Sequence, residues 1–221
     1  APLADIRFVL EEVCDLAGLA GLERFAHADP ALVSRATLEA NAVGFGTLFA
    51  QTPDGPRAAH IPFIWTGDSR IAFHIARGNG IARHLDGATA LLVVNGPDGY
   101  VSPDWYGTDN QVPTWNYVAA EFEGPVALRD EAALLAQIDA LSAQHEATLA
   151  PKAPWTRDKV DPAAVSKMLS AIRCFEMRVT AWRGTAKLGQ NKSDEVRLRT
   201  ADALDAVGNR ALAHLMRSLP R

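Results

Sequence analysis

The chain has 221 residues, 48% of them hydrophobic and 22% charged, which is enough apolar material to bury one full core with an appendage and too much for a disordered polypeptide. Its formal net charge of -4 supplies no general basic field for nucleic acid or acidic lipid, so DNA contact would need a local patch. Two cysteines far apart, Cys14 and Cys174, exclude a Cys-X-X-Cys metal clip and a disulfide framework and fit a reducing compartment. With no signal-peptide pattern and no apolar run of about 20 residues, the expectation is a soluble cytoplasmic protein without a membrane span.

In chain order, Ile6, Val9, Leu10, Val13 and Leu16 recur at helical spacing, so residues 1–20 read as an amphipathic helix that Gly18 and Gly21 break. Asp29-Pro30 supplies a cap and a first-turn proline for a second helix to about Asn41. From Phe45 the period changes to that of strands. Residues 45–51, 57–65 and 70–76 form a meander, separated by the turn signals Pro53-Asp54-Gly55-Pro56 and Gly67-Asp68-Ser69. A helical turn or two over 78–85 precedes a strand at 88–95, and another strand spans 114–126. The stretch 96–124, which runs into the second of these strands, is an aromatic corner holding Tyr100, Trp105, Tyr106, Trp115 and Tyr117, whose flat rings and polar tips suit a ring-shaped ligand or a subunit interface. A helix over 131–148, with Leu134, Leu135, Ile138 and Leu141 on one side, ends at a proline-rich linker over 151–155. Asp161-Pro162 opens a short helix to about Ser170. A long strand over 172–183 turns at Gly184, and a helical segment over 194–219 is capped by Ser193 and interrupted at Gly208. Six strands joined largely by tight turns, with peripheral helices, predict a mainly β, α+β fold whose antiparallel sheet closes into a barrel.

The chemistry-bearing residues narrow the function. Six histidines with no HxH or HxxxH pair on one face predict no metal site. His60 and His74 sit in apolar runs without a partner carboxylate at useful spacing, which argues against acid–base catalysis. Ser102, Ser142 and Cys174 lie in no G-x-S-x-G elbow, so a hydrolase is not expected. Gly44-Phe45-Gly46 begins like a dinucleotide fingerprint, but it leads into a strand and lacks the third glycine. Lys192, Arg197, Arg199, Arg210 and Arg217 give the C-terminal helices a local basic excess. Asp194, Glu195, Asp202 and Asp205 interleave with it, the pattern of solvated helix faces.

Taken together, FGTLFA (45–50), HIPF (60–63), HIARGNG (74–80), GPDGYVSPDWY (96–106), VPTWNY (112–117) and KLGQNK (187–192) resemble the PaiB-like, FMN-binding family of split-barrel flavoproteins, described as negative transcriptional regulators. The likeness runs from about Arg24 to Leu219. It implies a six-stranded antiparallel split β-barrel, a homodimer, and FMN held between subunits. Carried over by position, it implies that His60, Ile61 and Pro62 run beside the flavin ring and that His74, Ile75, Ala76 and Asn79 lie near the ribityl and phosphate groups. Trp115, Asn116 and Tyr117 would form the opposite wall, and Lys187, Gln190 and Asn191 match a late motif. Arg77, Arg83 and Lys187 are the natural phosphate partners, because a phosphate needs cations or backbone amides. The implied role is a flavin-binding regulator or accessory protein with no catalytic residue. The alternative is a flavin-dependent oxidoreductase acting on a small molecule or a haem-like substrate.

Three positions depart from the family pattern: Ala59 where threonine is usual, Gly80 after Asn79, and Gly189 where the late motif has serine. A hydroxyl lost from a ligand site corresponds to about 1 to 1.5 kcal/mol, or about tenfold in affinity. Residues 1–23 stand apart from the likeness. They resemble the opening helix of acyl-CoA dehydrogenases over a stretch too short to carry that activity, and are expected to add one helix ahead of a barrel domain over 24–221.

Overall fold

The computed structural model describes residues 25–26, 43–67 and 69–219; the two helices expected before Val43 lie outside them. The described strands are β1 (Phe25–Ala26), β2 (Phe45–Thr52), β3 (Gly55–Gly67), β4 (Arg70–Ala76), β5 (Thr89–Val101), β6 (Thr114–Leu128), β7 (Ile172–Arg178) and β8 (Ala181–Lys187). The helices are α1 (Glu131–Ala147), α2 (Pro162–Leu169), α3 (Asp194–Ala206) and α4 (Arg210–Ser218). The chain divides into two units, one of residues 26–94 and 121–182, the other of residues 95–120 and 183–219 with Phe25.

In the first unit, alternation builds a ring of strands, although Ile64 and Ala72 on the opposite phase are buried as well. Leu48 and Ala50 on β2, Ala59, Ile61 and Phe63 on β3, Ile71, Phe73 and Ile75 on β4, and Ala90, Leu92 and Val94 on β5 are all buried, as a period of two demands when one face of each strand meets a core. β2 pairs antiparallel with β3 and β5, β3 with β4, and β4 with β7. β6 lies beside both β5 and β7, so six strands close in the order β5-β2-β3-β4-β7-β6. That ring is the expected antiparallel barrel. Phe63, Phe73, Phe122 and Phe175 fill it; Phe73 and Phe175 stack at 5.7 Å between centroids, and burying each ring contributes about 1.5–3 kcal/mol.

Helix α1 starts at Asp130, whose side chain accepts the amide of Ala133 at 2.9 Å, and packs over β3, β4 and β7. Asp161 caps α2 in the same way, with Pro162 at the first helical position. Below α1 the chain runs through the linker, where Glu146 accepts the amide of Trp155 at 2.8 Å and Arg157 makes a two-pronged pair with Asp139.

The expected strand over 172–183 is in fact two, and the turn is not at Gly184, which lies inside β8. The break falls at Val179 and Thr180, whose amides leave β7 to donate to the carbonyls of Ser69 and Glu123, both at 2.8 Å. Those outside partners satisfy the backbone at the break, and a glycine is therefore not needed to end the strand.

In the second unit β8, β6 and β5 are sheet neighbours, and β1 adjoins β8. Helices α3 and α4 are separated at Gly208, which takes φ +90°, as the interruption expected there requires. Val101, Tyr106, Leu188, Leu204, Leu212, Leu215 and Met216 make a separate core. Three arginines of the two helices are held within the unit. Arg197 bonds Asp194 and the carbonyl of Met216, Arg199 bonds the carbonyls of Trp105 and Tyr106, and Arg217 bridges Asp202 and Asp205.

A methyl group on Gly124 of β6 would stand 1.9 Å from the carbonyl oxygen of Arg178, so Gly124→Ala forces backbone to move and is expected to lower unfolding free energy by about 3 kcal/mol in urea titration. Cys174 is buried on β7, and burial pushes its thiol up from 9.0 to about 11. Native protein at pH 8 is therefore expected to leave Cys174 unlabelled by a thiol reagent, read peptide by peptide, until it unfolds. Because the folded state keeps this proton after the unfolded chain has lost it, Cys174 lowers stability as pH climbs from about 9 to about 11.

Candidate functional site

Ring closure decides which sequence-selected residues can meet a ligand. On β3, Ile61 points into the barrel while His60 is exposed and Pro62 half-buried on the outer face. On β4, Ile75 points inward, while His74 is half-buried and Ala76 exposed outside. Ile61 and Ile75 thus offer a ligand only backbone. Ala59 is buried with the interior set, so a threonine there would place its hydroxyl in the core, and the departure at Ala59 removes no group from the outer face.

Register brings the two motifs together. Phe45 faces Pro62, Thr47 faces His60 and Phe49 faces Ala58 across β2 and β3. Pro62 and His74 each stand one residue beyond the Phe63–Phe73 pair of β3 and β4. Thr47 Oγ1 and His60 Nδ1 are 3.1 Å apart. Phe45 and Phe49 alternate outward on β2, 54% and 39% exposed, a signal readable in FGTLF but taken from the sequence only as strand.

At the end of β4 the chain turns over an open edge. Asn79 donates its amide to the carbonyl of Ala76 at 3.0 Å and accepts that of Ile81 on Oδ1 at 3.1 Å. A side chain added at Gly78 or Gly80 would meet nothing within 4 Å, so Gly80 is not sterically required. Arg77 donates Nε to the carbonyl of Ser170 at 2.6 Å, and Arg83 donates Nε to His84 at 2.9 Å. Both guanidiniums stay exposed, so the turn offers cationic donors beside free space.

His74 has a partner that the periodicity concealed. Its Nδ1 lies 2.8 Å from Oε1 of Gln137, on the face of α1 that covers the barrel. Gln137 is 3% exposed, and its Nε2 is buried without a hydrogen-bond partner among the described residues. A stranded buried donor costs about 1–3 kcal/mol. Sequence reasoning passed over this glutamine because it is a polar residue in the apolar stripe that begins at Leu134.

The remaining expected residues belong to the second unit. Trp115 is half exposed, donates Nε1 to Asp98 at 2.9 Å and meets Tyr100 edge-on. Asn116 is buried with its amide 3.5 Å from the sulfur of Met216, and Tyr117 is half-buried. Lys187 donates to Thr114 Oγ1 at 2.5 Å. Gln190 folds onto its own loop, accepting the amide of Leu188 and donating to the carbonyl of Ala186, both at 2.7 Å. Asn191 is exposed. Gly189 takes φ +82°, a conformation that explains glycine where the family motif has serine. Nearby, Lys192 sits 4.6 Å from the ring centroid of Tyr106, whose phenol is pushed up by burial. Among the described residues no group of three His, Cys, Asp or Glu side chains gathers to hold a metal, and no described helix is long and apolar enough to cross a membrane.

Comparison with known proteins agrees with this architecture. The family model described as "Putative FMN-binding domain" matches residues 24–181. The protease synthase and sporulation protein PAI 2 of Bacillus subtilis is 29% identical over 154 residues, covering 68% of this chain and 73% of that protein. An uncharacterized protein of Emericella nidulans is 27% identical over 191 residues, with 68% and 76% covered. Among solved structures, the FAD and heme binding protein of Mycobacterium smegmatis shares the fold with a TM-score of 0.52 at 20% identity, over 84% of this chain and 80% of that one. The chain belongs to the FMN-binding domain family, and its cofactor is a flavin.

Proposed function

We propose that the chain is a dimeric FMN-binding protein with a regulatory or accessory role, its flavin lying on the outer face of β2, β3 and β4. The observation that carries this reading is the alternation that buries Ile61 and Ile75 and leaves His60, Pro62, His74 and Ala76 on the outer face, where α1 meets His74 through Gln137 and β4 runs into a cationic turn. An isoalloxazine ring needs a flat wall with a few polar groups at its edge. The backbone of 60–62, the Thr47–His60 pair and His74 offer that. The phosphate needs cations and amides, and Arg77, Asn79 and Arg83 with the glycine-lined turn fit it by donor type and by the space left open. When bound, the flavin supplies one- and two-electron redox chemistry; the chain's residues bind it, orient it and limit its contact with water.

The outward pair Phe45 and Phe49, beside half-buried Leu91 and Val93 of β5, forms an apolar sheet face that suits a second copy of the chain. The regulatory half of the reading draws on the Bacillus relative, whose name links it to protease synthesis and sporulation. The net charge of -4 supplies no general attraction for nucleic acid, and Arg197, Arg199 and Arg217 of α3 and α4 are engaged within their unit.

Freshly purified protein is expected to show the visible absorption of oxidised flavin, or to gain it on titration with FMN. His60→Ala and Arg77→Ala should each weaken FMN binding about tenfold without lowering the melting temperature. A chain that takes up no FMN, or variants that titrate like the parent, would remove this face from the flavin site. Phe49→Glu is expected to convert a sedimenting dimer to monomer, and an unchanged dimer rejects that interface. If NAD(P)H-reduced flavin is reoxidised by a defined small molecule in repeated turnovers, the oxidoreductase reading replaces the regulatory one.

A further inference from the structure

We infer that Gln137 is a positioning residue that holds His74 as the Nδ1–H tautomer, so that Nε2 stands on the outer face of β4 as an acceptor for a ligand N–H or O–H. The proposed flavin face supplies the identity of that ligand, a ribityl hydroxyl or the ring imide; the tautomer itself is independent of it.

The geometry begins at α1, which lies over β3, β4 and β7 and lowers Gln137 onto His74. An amide oxygen can only accept. With Oε1 at 2.8 Å from Nδ1, the proton is on Nδ1, and a neutral ring then carries its free lone pair on Nε2. An unrestrained neutral histidine side chain prefers the opposite arrangement, so the tautomer is imposed. Among the described residues Nε2 has no hydrogen-bond partner, and it is not closed off from solvent, so it faces accessible space. Across the ladder the neighbour of His74 is Cys174, whose buried thiol keeps its proton and does not compete as a base.

A purely structural role for Gln137 fits poorly. Its Nε2 is buried with no acceptor among the described residues, whereas methionine of similar length would fill the same space under α1 with no stranded donor. What glutamine adds over methionine is the acceptor for His74 Nδ1.

The test uses the whole chain labelled with 15N-histidine and a two-bond proton–nitrogen spectrum. There are six histidines, and the His74 signals are those lost in His74→Gln. The parent, free of flavin, is expected to show His74 as Nδ1–H. Gln137→Met is expected to shift it to Nε2–H, to melt at the parental temperature or above, and to bind FMN about tenfold more weakly. An Nε2–H pattern in the parent overturns the inference, as it would mean that the amide donates rather than accepts. That measurement needs no variant, so misfolding of Gln137→Met cannot shield the idea. An unchanged tautomer in a folded Gln137→Met also overturns it. A switched tautomer with parental FMN affinity overturns the ligand assignment alone, while failure of the parent to bind FMN overturns the flavin face and leaves the tautomer result standing.

Discussion

β6 takes part in two neighbourhoods at once, beside β5 and beside β7, and this double pairing turns a meander into a ring. Closure has an exacting local requirement. At Gly124 the strand passes so near the carbonyl of Arg178 that only a hydrogen fits, and just beyond it Val126 pairs with Met177 in the core. Once the ring is shut, every strand has an inside and an outside, and the phase of each is fixed by its aromatic and branched residues. The outer-face positions of His60, Pro62 and His74 follow from the inward demand of Ile61, Phe63, Phe73 and Ile75.

Much of the barrel was legible because its strands are short and rich in apolar residues. Phe45–Thr52, Arg70–Ala76 and the first half of β5 are such runs, and glycine and proline mark their turns. The caps at Asp161 and Ser193 follow the same local chemistry. The division between β7 and β8 was not legible, because residues 172–183 alternate throughout and the break is made by bonds to Ser69 and Glu123, partners distant in sequence. Local pattern carries no trace of such partners.

The site was legible unevenly for a related reason. Motif likeness selects positions, and alternation then sorts them into those that present side chains and those that present only backbone. Ile61 and Ile75 fell into the second group, and Ala59 proved to be a core residue. Gln137 escaped notice because a glutamine in an apolar stripe reads as an interruption, and its meaning depends on a histidine sixty-three residues earlier in the chain. Gly189 is the reverse case, since its left-handed backbone accounts for a difference that looked like a missing ligand.

The tight hairpin joining β2 to β3, where Thr52 lies opposite Gly55, ties the two strands so closely that their phases are locked. Inserting one residue into β3 between this hairpin and Ala59 would exchange Ile61 for His60 at the interior wall, placing an imidazole among phenylalanines and an isoleucine against solvent. The outer face is therefore not adjustable in single steps; lengths can change there by pairs of residues, or within the hairpin loop itself, and anything else sacrifices the ring.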